Sequence, residues 1–174
     1  MKKTPFLFLA FLAFTSCYSQ APNDKKTGEI HLTGKNEPGK AFTLDLVVLD
    51  IATKKPVPGV EIFVYHTNNK GDYERDASDV ARIHGTVYSD KDGKVRFYTI
   101  YPRGYNDSPR GAHIHFVVKA KGYETMENAE IMFDEYKEKK YDRNNLKTDI
   151  VYLDELEEKN NAFTGKATMY VRKK

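Results

Sequence analysis

The sequence predicts an all-β fold, a β-sandwich, on three observations. Apolar and polar residues alternate with a period of two in several short runs, as in Phe42, Leu44, Leu46 and Val48. These runs are separated by turn-forming pairs such as Pro58-Gly59, Asp92-Gly93 and Lys121-Gly122. No stretch carries a long apolar period of 3.6 residues, so no amphipathic helix competes for the core.

Taken in order, residues 1–20 read as a signal peptide. Lys2 and Lys3 precede an unbroken apolar run from Phe6 to Phe14, and Thr15 and Ser16 follow. The run is too short to span a bilayer as an anchor. The expected location is therefore outside the cytoplasm: periplasmic, attached to the outer membrane as a lipoprotein, or secreted. Cys17, directly after Ser16, resembles a lipid-accepting cysteine, which makes a lipid anchor a partner to consider. Residues 21–40, rich in Lys, Asn, Gly and Pro, read as a flexible lead-in. The β-sandwich domain is expected over residues 41–174.

Within it, strands are expected from Ala41, from Glu61 to His66, from Arg82 to Tyr88, from Lys94 to Tyr101, and from Ala112 to Ala120. Asp92-Gly93 between two of these runs predicts a hairpin joining residues 82–88 to 94–101. Shorter strands are expected at 129–133, 148–153 and 166–172. Residues 134–147 and Asp154 to Asn161 carry charges of both signs and read as solvated loops or a short surface helix.

Composition removes several function classes. The chain of 174 residues has 28 Lys and Arg against 25 Asp and Glu, and without Lys2 and Lys3 the balance is 26 to 25. No basic cluster interleaves with aromatics, so nucleic acid is not an expected partner. Cys17 is the single cysteine, so the folded part has no disulfide, no thiol nucleophile and no thiolate ligand.

The residues that can carry chemistry lie in three segments. His113-Ile114-His115 sits in an expected strand, where side chains two apart share a face and both imidazoles lie together. Alone this is a weak metal signal. Tyr73 follows a strand and the loop Asn68-Asn69-Lys70-Gly71, and Tyr105 follows the turn Pro102-Arg103-Gly104. Taken singly, each tyrosine reads as a loop aromatic against a sheet edge. Together, two phenolates and two imidazoles make a hard, anionic donor set suited to Fe(III). Of the remaining histidines, His84 begins a strand near these segments, while His31 and His66 look incidental.

The order of these segments is specific. Pro56 to Ile62, Gly71-Asp72-Tyr73, Tyr88-Ser89-Asp90, Phe97 to Ile100, Pro102 to Tyr105 and Arg110-Gly111-Ala112-His113-Ile114-His115-Phe116 together resemble the intradiol ring-cleavage dioxygenases, over roughly residues 41–133. The resemblance implies a sandwich like that family's catalytic core and a non-heme Fe(III) cofactor bound by Tyr73, Tyr105, His113 and His115. Tyr105 would leave the metal and accept a substrate proton, and Arg110 would stabilise negative charge on the substrate. It further implies insertion of O2 into a catechol, opening the ring to a muconate-type dicarboxylate. The chain departs from the family's pattern in its Pro-Arg-Gly-Tyr turn, in the lengths of the loops around both tyrosines, and in Glu130, which stands where a glutamine is usual beside the catechol. Two other readings stay open at this stage. One is a non-catalytic extracytoplasmic module of the transthyretin-like or carboxypeptidase-regulatory-like kind, which residues 44–65 also resemble. The other is an iron binder without turnover, which the acid at Glu130 would suit.

Overall fold

The computed structural model describes residues 27–75, 77–138 and 140–174. The expected signal peptide and Cys17 lie outside them. The strands are β1 (Glu29–His31), β2 (Ala41–Asp50), β3 (Glu61–His66), β4 (Ile83–Tyr88), β5 (Lys94–Ile100), β6 (His113–Lys119), β7 (Met126–Met132), β8 (Val151–Lys159) and β9 (Ala162–Val171), with one short helix, α1 (Phe133–Lys137). They form two layers: a five-stranded sheet in the order β1-β5-β2-β9-β8 and a four-stranded sheet in the order β4-β3-β6-β7. The expected all-β sandwich is what the chain adopts.

The core between the sheets follows from alternation. Phe42, Leu44, Leu46 and Val48 point inward from β2, Val95 and Phe97 from β5, and Ala167, Met169 and Val171 from β9. Ile62 and Val64 of β3, Ile114, Phe116 and Val118 of β6 and Ala129 and Ile131 of β7 meet them from the other layer. The odd-numbered residues of β3 and β6 therefore face away from this core, and His113 and His115 are among them. The site lies on the outer face of the four-stranded sheet.

Three local expectations are corrected. β4 and β5 do not form a hairpin, because they belong to different sheets. The turn itself is well made: Asp90 Oδ1 accepts the amides of Asp92 (2.9 Å) and Lys94 (2.8 Å), and Gly93 has φ 72°. Ser89 is held by Val57 and Val60 on one side, and Gly93 O accepts from Val48 N on the other, so the turn carries the chain across from one layer to the next. Asp154 to Asn161 is not a loop. β8 continues to Lys159 and turns into β9 through Asn160 (φ 52°) and Asn161 (φ 61°), a tight hairpin with both residues left-handed. β8 is an edge strand, where charged side chains are favoured because they block further pairing. Finally, residues 29–31, within the stretch read as a flexible lead-in, form β1 and pair in parallel with Arg96 to Tyr98 of β5. His31 stacks on Tyr98 with centroids 4.3 Å apart.

Candidate functional site

Three segments deliver the candidate residues to one place. The first is the loop after β3. Asn68, 4% exposed, accepts the amides of Lys70 (2.8 Å) and Asp72 (3.1 Å) at its side-chain oxygen and so folds the turn that presents Tyr73. The second is the loop after β5, anchored where Thr67 Oγ1 donates to Arg103 O (2.6 Å), which presents Tyr105 two residues later. The third is β6 itself, whose period of two places His113 and His115 on one face, 2% and 6% exposed.

The four side chains meet. Tyr105 Oη lies 2.6 Å from Tyr73 Oη, 3.0 Å from His113 Nε2 and 3.4 Å from His115 Nε2. The outer ring nitrogens are occupied: His113 Nδ1 bonds Gly111 O at 2.7 Å, and His115 Nδ1 faces Asn128 Oδ1 at 3.2 Å. With those protons outside, both Nε2 lone pairs are directed at the phenol oxygens, as in metal sites where a partner on the far nitrogen fixes the tautomer.

Electrostatics favour the neutral forms of Tyr73, His113 and His115. Burial lowers the pKa of His113, and burial, with His113 and Arg110 adding to it, pushes His115 down to about 4. Both imidazoles are therefore neutral donors near pH 7. Burial, followed by the hydrogen bond with Tyr105, raises the Tyr73 phenol far above its ordinary value. Among the described residues no group of three or more His, Cys, Asp and Glu side chains converges, so a metal centre here depends on the tyrosines. The donor set fits a hard, highly charged cation: two oxygens that become anionic only against positive charge, and two neutral nitrogens aimed at the same point.

The two remaining candidates stand beside this cluster. Glu130, on β7 directly across from His115, pairs with Arg110, and its carboxylate is 3.8 Å from His115 Nδ1. Arg110 and Glu130 thus contact each other rather than the phenols. His84 turns its Nδ1 to Ala81 O (2.6 Å) and lies beside Phe63. Of the charged loop 74–82, Arg75 sits over the Tyr73 ring at 4.9 Å and bonds Asp79, while Arg82 pairs with Glu74 and Glu37.

Two neighbours were missed in the sequence. Tyr65 stacks on His115 (4.8 Å, 13°), its direct partner across β3 and β6. Asn128 holds the far side of the same ring. Both were findable: Tyr65 points outward because Ile62 and Val64 point inward, and Asn128 is two residues from Glu130 on the same face of β7. His66, which looked incidental, is 1% exposed and bonds Thr67 O and Thr99 Oγ1, each at 2.7 Å.

The fold and site together define a two-layer β-sandwich protein with two tyrosines and two histidines gathered on the outer face of one sheet, and the comparisons with known proteins narrow that class. A family model described as Dioxygenase matches residues 14–152. The chain belongs to the intradiol dioxygenase family. Catechol 1,2-dioxygenase of Acinetobacter baylyi is 29% identical over 113 residues, covering 52% of this chain and 35% of that protein. The 6-chlorohydroxyquinol 1,2-dioxygenase of Cupriavidus pinatubonensis is 31% identical over 90 residues, 41% of this chain and 33% of that protein. The chain spans about a third of the length of these relatives. Among solved structures, the dioxygenase domain of a carbohydrate-binding fusion from Streptomyces sp. SirexAA-E superposes with a TM-score of 0.62 at 19% identity, over 87% of this chain and 92% of that one. Catechol 1,2-dioxygenase from Pseudomonas arvilla C-1 gives 0.61 at 20% identity, over 85% and 57%. These two likenesses establish the shared fold.

Proposed function

We propose that this chain is an Fe(III)-dependent intradiol ring-cleavage dioxygenase acting on a catechol-type aromatic outside the cytoplasm, with the metal held by Tyr73, Tyr105, His113 and His115. The observation that carries the reading is the meeting of three side-chain tips at Tyr105 Oη, within 2.6 to 3.4 Å, two of them from β6 and the third from Tyr73 in a separate loop. Bound there, ferric iron would hold the phenols as phenolates and activate a chelated catechol toward O2, giving a muconate-type dicarboxylate.

The chain's own residues have separable parts. Tyr105 Oη contacts both Tyr73 and His113, and as a phenolate it would take up a catechol proton, the role the family resemblance implies. His113 and His115 are locked by Gly111 O and Asn128 and present lone pairs without rearrangement. Tyr65 covers one face of His115 and shields it from water. Arg110 stands beside the cluster as half of an ion pair with Glu130. The proposed setting outside the cytoplasm rests on residues 1–20 and would be read from the location of the full-length chain in fractionated cells.

The test is purification with iron. Red-brown protein from tyrosinate-to-iron charge transfer, with stoichiometric O2 uptake on adding a catechol, is the expected result. Tyr105→Phe should shift the colour and slow turnover. Colourless protein that ignores added ferric iron would leave the non-catalytic module as the reading, and colour without O2 uptake across a catechol panel would leave the iron binder.

A further inference from the structure

We propose that Glu130 sets the charge selectivity of this site, turning it against catechols that carry a ring carboxylate and toward uncharged or amine-bearing ones. The inference rests on the catechol reading above. Arg110, paired to Glu130 across from His115, places a positive charge that is felt at His113, His115 and Tyr65. Unpaired, it would draw an anionic substituent to the cluster. Glu130 cancels it through a direct ion pair. Arg75, which lies over the Tyr73 ring, is also occupied, by the Asp79 carbonyl (2.7 Å) and carboxylate (3.2 Å). No positive charge from these two arginines is left over for a substrate carboxylate.

The two partners are also anchored differently in the backbone. Arg110 sits in the loop leading into β6, whereas Glu130 is fixed on both sides. It pairs with His115 across β6 and β7, and its amide donates to Asp149 O (3.1 Å), with a bridge to Ile150. A substrate that drew Arg110 aside would leave an unpaired carboxylate on a strand held from both sides, beside His115, whose Nδ1 it faces at 3.8 Å. An exposed anion at that position opposes a second carboxylate and attracts an ammonium group.

The test is anaerobic titration of the iron-loaded protein with catechol, 3,4-dihydroxybenzoate and 4-(2-aminoethyl)catechol, following the visible band so that binding rather than turnover is read. Wild type should bind the acid about tenfold more weakly than catechol, and the amine at least as tightly. Glu130→Gln should close or invert the gap for the acid. Equal binding of acid and catechol by wild type, or an unchanged ratio in Glu130→Gln, overturns the proposal. If the variant fails to fold, the wild type alone decides. Raising salt from about 20 mM to about 0.5 M should narrow the gap, and a salt-independent gap overturns the proposal. Failure of all three ligands to bind would instead remove the catechol reading, and this inference with it.

Discussion

Gly104→Ala should damage the site and the fold together. A β-carbon at Gly104 would stand 2.4 Å from Arg110 O, 2.9 Å from Gly111 C and 3.1 Å from Gly111 Cα, all backbone atoms. No flexible side-chain end is present to give way, so one loop must move by about 1 Å to restore ordinary contact. Overpacking of this kind costs roughly 1–3 kcal/mol. For a chain of this size that lowers Tm by roughly 2–12 °C. The displaced backbone is the one that holds the site. Tyr105 follows Gly104 directly, and Gly111 O is the anchor of the His113 ring. The 3.0 Å contact between Tyr105 and His113 should therefore open, and ferric affinity should fall about 10- to 100-fold. Thermal unfolding and a ferric titration followed by absorbance read both effects. Gly34→Ala is the control, because nothing lies within 4 Å of its would-be β-carbon, and it should change stability by less than about 0.5 kcal/mol. Wild-type Tm and colour in Gly104→Ala would refute the reasoning.

Asn68→Ala leaves two turn amides without their acceptor and should destabilise by roughly 1–3 kcal/mol while weakening ferric binding through Tyr73; chemical denaturation and the same titration check it. His66 is pushed down to about 4 in the fold, chiefly by burial, from an ordinary value near 6.5. Its depressed folded pKa means that the unfolded chain binds the extra proton first, so stability is full above about pH 6.5 and falls as pH drops toward 4. Between pH 7 and 4.5 the loss from this group is roughly 2–3 kcal/mol. His66→Gln should lose correspondingly less over that window in urea unfolding, and an identical pH slope in both proteins would exclude His66 as the source. Tyr73→Phe should keep the wild-type fold by circular dichroism yet lose most of the thermal stabilisation that added ferric iron confers on the wild type.

Alternation made the interior legible: Phe42, Leu44, Leu46 and Val48, and likewise Ile62 and Val64, are core residues because a strand with one buried face must alternate. The failures share a physical origin. Asp90 to Gly93 has the chemistry of a chain reversal, but that chemistry is local, and whether the following strand pairs with its predecessor or crosses to the other layer is decided by which edges are open. β5 finds β2 and β1. β8 was truncated because Glu155, Glu157 and Glu158 look like a loop, whereas an edge strand tolerates charge on its solvent face. Asn160-Asn161 was the overlooked signal, since asparagine is among the few residues that accept a left-handed pair. The site residues were easier to find than their supports, since Tyr65 and Asn128 carry no motif and matter only through what stands across the sheet from them.

The placement of the cluster also explains why its members look unreactive by themselves. Loops bury His113 and His115 and half-bury Tyr73 on what would otherwise be the solvent face of a sheet, and burial penalises any lone charge. The result is a hydrogen-bonded cluster in which the Tyr73 phenol stays protonated and both imidazoles stay neutral. Such a set is poorly suited to binding a proton or an anion, but a trivalent cation reverses the balance. It supplies the positive charge that makes two phenolates favourable, and the imidazoles need no deprotonation to join. The desolvation that raises the Tyr73 phenol would therefore make its proton the main barrier to loading. Ferric uptake should quicken with rising pH in the wild type, and that acceleration should weaken in Tyr73→Phe, which has no proton to give up at that position.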